Sequence, residues 1–279
     1  MKNSSLPEEL IYADDCDFVT EDEKKQQKIV EIATKILQES NLIVNESKTE
    51  VTILKRGEYE TEKWRHVNKL GSLLGDKEDI NRRKNLACIA MRDLSKLWYK
   101  RNLTAMKTRL RLYESLVKSI LLYNSCTWGL TKNDEKEIDS FHRRQLRNII
   151  GIKWPNRIKN KNLYKITDTK PISVEITKRR WKMLGHTLRM NPNTPARRSM
   201  KYFFEIRSKK KFRGRKRATI ITTINRDITR TKRIYPDFAI QKMTTEINLH
   251  NNRCKAKNRR QWKKAVKQVV DVAYSNNSM

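Results

Sequence analysis

The sequence predicts an α+β protein that is mostly α. It reads as a small β part carrying an acidic hairpin, then a helical bundle, then a basic, partly disordered helical region. Three observations lead there. Asp14 and Asp15 stand side by side between two short apolar stretches, Leu10–Ala13 and Cys16–Val19. Apolar residues then recur at steps of three and four through Leu86–Ile149, the spacing of one helix face. Finally, the charge changes sign along the chain. Residues 1–62 hold 15 acids against 8 bases, whereas the remainder holds 55 bases against 16 acids.

Residues 1–78 form the first section. Leu10–Ala13 and Cys16–Val19 predict two strands joined at the acidic tip. Thr20 followed by Glu23 reads as a capping box. It opens a helix through Ser40, with Ile29, Ala33, Ile36 and Leu37 on one face. Leu42–Asn45 and Val51–Leu54 predict two further strands, and Leu70–Gly75 a short turn or strand.

Residues 79–150 are helical. Leu86, Ile89, Ala90, Met91, Leu94 and Leu97 mark one helix, and Leu103, Met106, Leu110, Tyr113, Val117 and Ile120 a second. A third starts near Asn133, carries Ile138, Phe141, Leu146 and Ile149, and stops at Gly151. Three amphipathic helices with short links make a small bundle, with the Leu103–Ile120 stripe as core.

Residues 151–279 are basic and irregular. Ile172, Ile176, Met183 and Leu184 predict one helix ending before Gly185-His186, and Pro192 and Pro195 break the chain next. A last basic helix spans about 257–273, with Trp262, Val266, Val269 and Val270 as its apolar marks. Between them, residues 207–217 carry eight bases in eleven positions and no acid. Such a block repels itself and stays disordered unless bound.

Composition narrows the function. The chain has 279 residues, 37% hydrophobic and 34% charged, with a net charge of +32. That excess points to a polyanionic partner. No apolar run reaches the ~20 residues that span a bilayer, and no basic-then-apolar leader follows Met1. The expectation is an intracellular protein of nucleus or cytoplasm, neither secreted nor membrane-bound. Cys16, Cys88, Cys126 and Cys254 lie far apart with no paired spacing, against a disulfide framework and against zinc.

Two features carry candidate chemistry. Adjacent acids on a hairpin tip can hold divalent metal against phosphate oxygens, or they can be an ordinary acidic turn. The basic run, through Lys209, Lys210, Lys211, Arg213, Arg215, Lys216 and Arg217, can contact nucleic acid, act as a nuclear localisation signal, or be a solvated tail. Trp154, Trp181, Phe212 and Trp262 lie among bases, where aromatic faces can stack on unpaired nucleobases. His142, beside Arg143 and Arg144, is expected on a basic face, and His186 in a packed or hydrogen-bonded position.

A series of motifs in shared order carries a resemblance. It runs from Tyr12-Ala13-Asp14-Asp15, through Asn41-Leu42-Ile43-Val44-Asn45-Glu46-Ser47-Lys48-Thr49-Glu50, to Lys69-Leu70-Gly71-Ser72. Leu121-Leu122-Tyr123-Asn124-Ser125-Cys126-Thr127-Trp128-Gly129-Leu130-Thr131 and Phe141-His142-Arg143-Arg144-Gln145-Leu146-Arg147 follow. Leu184-Gly185-His186-Thr187-Leu188-Arg189-Met190, Arg213-Gly214-Arg215-Lys216 and Asn258-Arg259-Arg260-Gln261-Trp262 complete it. Together these resemble the reverse transcriptase of non-LTR (LINE-type) retrotransposons, from the end of its palm to its C-terminal region. The departures are local. Asn41 and Asn124 stand where the family usually has Gly, Asn68-Lys69 replaces Lys-Tyr, and Lys216 replaces a Pro.

The resemblance implies RNA-directed DNA synthesis with Mg²⁺ on an RNA template and a DNA primer. It makes residues 1–78 a partial palm, 79–150 a thumb-like bundle and 151–279 a nucleic-acid-binding region. Asp14 and Asp15 would meet the metal, Lys48 the incoming triphosphate, Tyr12 the primer end, and Leu70 and Gly71 the primer grip. Lys100, Arg101, Lys107, Arg109 and Arg111 would line a duplex-facing side of the thumb, or simply a solvated surface. The family's palm also carries a metal-binding Asp well upstream of this hairpin, and only thirteen residues precede Asp14. Asp17, on the outgoing strand, is no substitute. The expectation is that this chain alone binds nucleic acid without extending a primer.

Overall fold

A computed structural model describes residues 9–20, 22–52, 64–100, 102–203 and 218–277. The architecture is mostly helical, with two small two-stranded antiparallel sheets. Strands β1 (Glu9–Tyr12) and β2 (Asp15–Phe18) pair with Tyr12 opposite Asp15. Ala13 and Asp14 are therefore the two-residue loop, and Ala13 takes φ 53°, the left-handed backbone that tight hairpin turns require. Helix α1 (Glu23–Glu39) follows. Its cap is Asp22, which accepts the Lys24 N–H at 3.1 Å, while Thr20 bonds only the Asp22 carbonyl. The expected Thr20–Glu23 box is thus displaced, because Asp is the stronger cap and sits next to the helix. No residue of α1 is fully buried: on the face formed by Ile29, Ala33, Ile36 and Leu37, Ile36 is exposed and the other three are half-buried.

Leu42–Asn45 is not a strand. Asn41 turns left-handed (φ 57°) behind α1, and the Leu42 N–H bonds back to the Leu37 carbonyl at 2.8 Å. A single 3-10 turn follows at Glu46–Lys48. Val51 and Thr52 are irregular as well, and Ile53 and Leu54 lie outside the described residues. Where a short turn or strand is expected over Leu70–Gly75, strands β3 (Asn68–Lys69) and β4 (Ser72–Leu73) form a short hairpin, with Leu70 and Gly71 both at positive φ in its turn.

The helical part is organised around α8 (Ile172–Arg189). Its first half closes one core with α2 (Asp76–Asp93), α3 (Ser95–Tyr99), α4 (Met106–Leu112), α5 (Ser119–Leu121), α6 (Lys132–Ile150) and α7 (Asn160–Thr167). A widened π turn, Tyr113–Lys118, joins α4 to α5 and buries Tyr113 and Val117. Thr131 caps α6 with Asp134, and Gly151 stops it at φ 83° as predicted. Leu103 and Met106 are exposed, so the second stripe joins the core only from Leu110 onward.

The second half of α8 closes another core with α10 (Ile220–Ile234), α11 (Glu246–Lys257) and α12 (Arg259–Asn277). Short α9 (Pro195–Tyr202) leans on its edge. Residues 218–277 are therefore largely helical and packed, with an irregular link over 235–245. Helix α8 does not end before Gly185 but runs through it. A Cβ at Gly185 would lie 2.1 Å from the Trp262 Nε1, so the absent side chain is what lets α12 seat against α8. The Trp262 indole N–H uses that approach to reach the Trp181 carbonyl at 3.1 Å. No helix among the described residues is long and apolar enough to cross a membrane.

Candidate nucleic-acid interface and acidic hairpin

The hairpin presents Asp14 at its tip and Asp15 at the first position of β2, both exposed, with Tyr12 across from Asp15 and 68% exposed. Asp17 is already committed, because it ion-pairs with Lys69 on β3. That pair brings the hairpin beside the Leu70–Gly71 turn. Lys48 lies exposed in its 3-10 turn, its amide held by Asn45, and no hydrogen bond or ion pair among the described residues joins it to Asp14 or Asp15. No group of three or more acids, histidines or cysteines among the described residues could hold a metal ion. Two neighbouring carboxylates on an exposed tip do not build a two-metal site, which needs several carboxylates converging on ions about 3.5–4 Å apart.

Leu70 and Gly71 are fixed from behind. Asp79, 1% exposed on the first turns of α2, accepts the Leu73 N–H at 3.0 Å and the Trp128 indole N–H at 2.9 Å. Arg83, one turn further on, donates to the Gly71 carbonyl and to Ser72 Oγ. Its guanidinium lies 4.3 Å from the centre of the Tyr123 ring, whose hydroxyl donates to the Leu70 carbonyl at 2.8 Å. Arg82 adds a bond to the Gly71 carbonyl at 3.2 Å. Asp76 accepts the Gly129 N–H, and burial, against that hydrogen bond, raises its carboxyl above the usual range. Sequence reading missed this clamp. Its signal was the Asp79–Arg83 pair one helical turn apart on an apolar face, with Tyr123 and Trp128 spaced to meet it.

Several expected surface groups turn inward. Arg109 is buried and donates to the Ile149 carbonyl, tying α4 to the end of α6, so it cannot line a thumb surface. Lys100, Lys107 and Arg111 are exposed, and Arg101 lies outside the described residues. Trp181 and Trp262 are core residues whose indole N–H groups are both satisfied, which removes them as stacking platforms. Phe212 lies outside the described residues, as do Lys209, Lys210, Lys211, Arg213, Arg215, Lys216 and Arg217. Trp154 is the exception, 82% exposed. Residues 143–165 around it hold eight bases and no acid. Arg147 folds this stretch back onto α6 by donating to Asn160 Oδ1 at 2.7 Å. Lys153, Arg157, Lys159, Lys161 and Lys165 remain exposed on it. The arrangement offers cations to phosphates and one free aromatic face to an unpaired base.

The two histidines exchange places with expectation. His186 is exposed on α8, whereas His142 is fully buried between Tyr113 and Tyr164. A 2.7 Å hydrogen bond links its Nδ1 to the Tyr113 hydroxyl. Burial, then Lys118 and Arg143, lower its pKa from 6.5 to about 3, so it is neutral in the folded protein. An unfolded chain takes up a proton near pH 6.5 that the fold refuses. Stability from this group is therefore complete above pH 6.5 and falls as pH drops toward 3, by about 1.4 kcal/mol per unit. Urea unfolding from pH 7 to 5 should show that loss, and His142→Gln should flatten it; an equally steep fall in the variant contradicts the assignment.

No protein-family model, curated protein or solved structure matches the chain.

Proposed function

We propose that this chain is the end of the palm, the thumb and the C-terminal region of a non-LTR retrotransposon reverse transcriptase. By itself it binds RNA and DNA and does not extend a primer. The observation that carries the reading is a pair of asparagines. Asn41 and Asn124 stand where the family usually places Gly, and both adopt left-handed backbone, at φ 57° and 52°. Asn is the residue that best replaces Gly there. These two departures thus keep the left-handed backbone that a glycine adopts readily. The incomplete burial of the apolar face of α1 fits the same reading, since a complete palm would cover it.

Catalysis is assigned to the longer enzyme. There, Mg²⁺ would meet Asp14 and Asp15 together with carboxylates that the described residues of this chain do not bring near them. Lys48 as triphosphate partner, and Tyr12, Leu70 and Gly71 as primer contacts, belong to that assembled state. The clamp behind Leu70 and Gly71 would then hold the primer-grip turn rigid. Primer extension on an RNA template with Mg²⁺ tests this. The chain is expected to yield no more product than its Asp14→Asn variant. Extension that the substitution abolishes overturns the claim of inactivity.

A second reading, a non-catalytic nucleic-acid-binding protein, draws on the acid-free surface at 143–165 alone. It shares the prediction of binding and differs in giving Asp14 no role in any context. Either reading places the protein inside the cell, in nucleus or cytoplasm.

A further inference from the structure

A cleft of about 380 Å³ lies between α9 and the start of α11, far along the chain from the hairpin and within the size range of small-ligand sites. Arg197, Lys201, Glu246, Ile247, His250 and Arg253 line it. Its charges do not balance. Glu246 reaches Lys201 at 3.8 Å, and no carboxylate among the described residues pairs with Arg197 or Arg253. Yet Arg197 is 8% exposed, its NH1 reaching only the Met200 sulfur at 3.9 Å, and the Nε of Arg253 is buried without a partner. Burial, and Arg253 beside it, lower the Arg197 pKa from its ordinary value. Arginine keeps its charge in such a place, so two mutually repelling cations stay partly stripped of water. Buried charges are normally paired; an unpaired set facing a cavity lacks its counter-ion.

We propose that this cleft binds a phosphoryl oxyanion, with the forked guanidinium groups of Arg197 and Arg253 as its two ligating arms. Guanidinium donors match phosphate oxygens in pairs, and Glu246, the one carboxylate lining the cleft, lies 3.8 Å from Lys201 and pairs with neither arginine. Lys201 and His250 add donors at the rim, and Ile247 gives an apolar ledge for whatever carries the phosphate. The same chemistry admits a free phosphate ester or a phosphate of a nucleic-acid strand. The inference stands on the cleft and is independent of the retrotransposon reading.

Calorimetric titration of the whole chain with inorganic pyrophosphate, at constant ionic strength, tests it. One equivalent is expected to bind, with affinity reduced about tenfold or more in Arg253→Gln and in Arg197→Met. Lys178→Gln, an exposed site on α8 that removes the same charge, is expected to leave binding unchanged. Arg253 is only half-buried, so its variant keeps the test informative if Arg197→Met fails to fold. A single-stranded oligonucleotide identifies the source. If pyrophosphate competes with it and both variants weaken it, the cleft takes strand phosphates. If the oligonucleotide is indifferent, or does not bind at all, while pyrophosphate still needs both arginines, the cleft takes a free ester. No pyrophosphate binding, or an equal loss in Lys178→Gln, overturns the proposal.

Discussion

Replacing Asp79 with alanine is expected to cost about 3–5 kcal/mol, enough to unfold a marginal protein. The carboxylate is almost wholly enclosed, and both its oxygens are used, one by the Leu73 N–H and one by the Trp128 indole N–H. Arg83, itself buried, has Nε 3.7 Å from Asp79. Alanine removes two acceptors and leaves that guanidinium uncompensated, and breaking a buried pair from one side is the expensive way to break it. Asn is expected to lose less, since its carbonyl can keep one of the two hydrogen bonds. Urea unfolding measures both. The loss should also loosen the β3–β4 turn, because Arg83 holds the Gly71 carbonyl and the Tyr123 ring together. A cost below about 1 kcal/mol for Asp79→Ala means that the clamp is not formed.

The second large effect is expected at Asp227. Its Oδ2 accepts from Arg180 at 3.2 Å and from the Trp181 indole at 3.1 Å, and Arg180 is 0% exposed. Asp227→Ala therefore strands a buried cation in the second core, again at about 3–5 kcal/mol. The pair itself is not a large source of stability. The Nε and NH2 of Arg180 are buried without partners, so the geometry does not repay the desolvation. The double replacement Arg180→Met with Asp227→Leu should accordingly recover most of what the single one loses. What remains lost is the Trp181 indole N–H, an unsatisfied buried donor worth roughly 1–3 kcal/mol. A double-mutant cycle in urea separates these contributions. If the double variant is no more stable than Asp227→Ala alone, a stranded charge is not the cause.

Much of the fold was legible because it depends on local signals. The acidic hairpin, the stop at Gly151 and the last helix with Trp262 on its apolar face all follow from turn chemistry and periodicity. The misreadings share a cause: each needed a partner that the sequence does not name. Leu42–Asn45 has strand-forming residues, but a strand needs a neighbour to satisfy its backbone, and Asn41 sends the chain the other way. His142 follows the same logic. Residues adjacent on a helix point about 100° apart, so Arg143 and Arg144 face elsewhere and say nothing of what surrounds His142. Trp181 and Trp262 stand among bases in the sequence, yet Gly185 opens the space in which they pack on each other. The motif Leu121–Thr131, read as a family mark, is structural in detail. Tyr123 holds Leu70, Trp128 holds Asp79 and Thr131 caps α6.

For the candidate site, residue identity was legible and assembly was not. Asp14, Asp15, Lys48, Leu70 and Gly71 are visible as a series, but what ties the hairpin to the turn among the described residues is the ion pair of Asp17 with Lys69. The surface at 143–165 was overlooked because its bases are spread over the end of α6, a loop and α7, and form no run.

The most direct measurement is the salt dependence of binding to a labelled single-stranded RNA, read by fluorescence anisotropy. Each phosphate neutralised on a single strand contributes a slope of roughly 0.7 in log affinity against log salt. The account predicts contact with several phosphates, a slope of about three or steeper, and the same slope in Asp14→Asn. Affinity that barely changes as salt is raised, or that vanishes when Asp14 loses its charge, contradicts it.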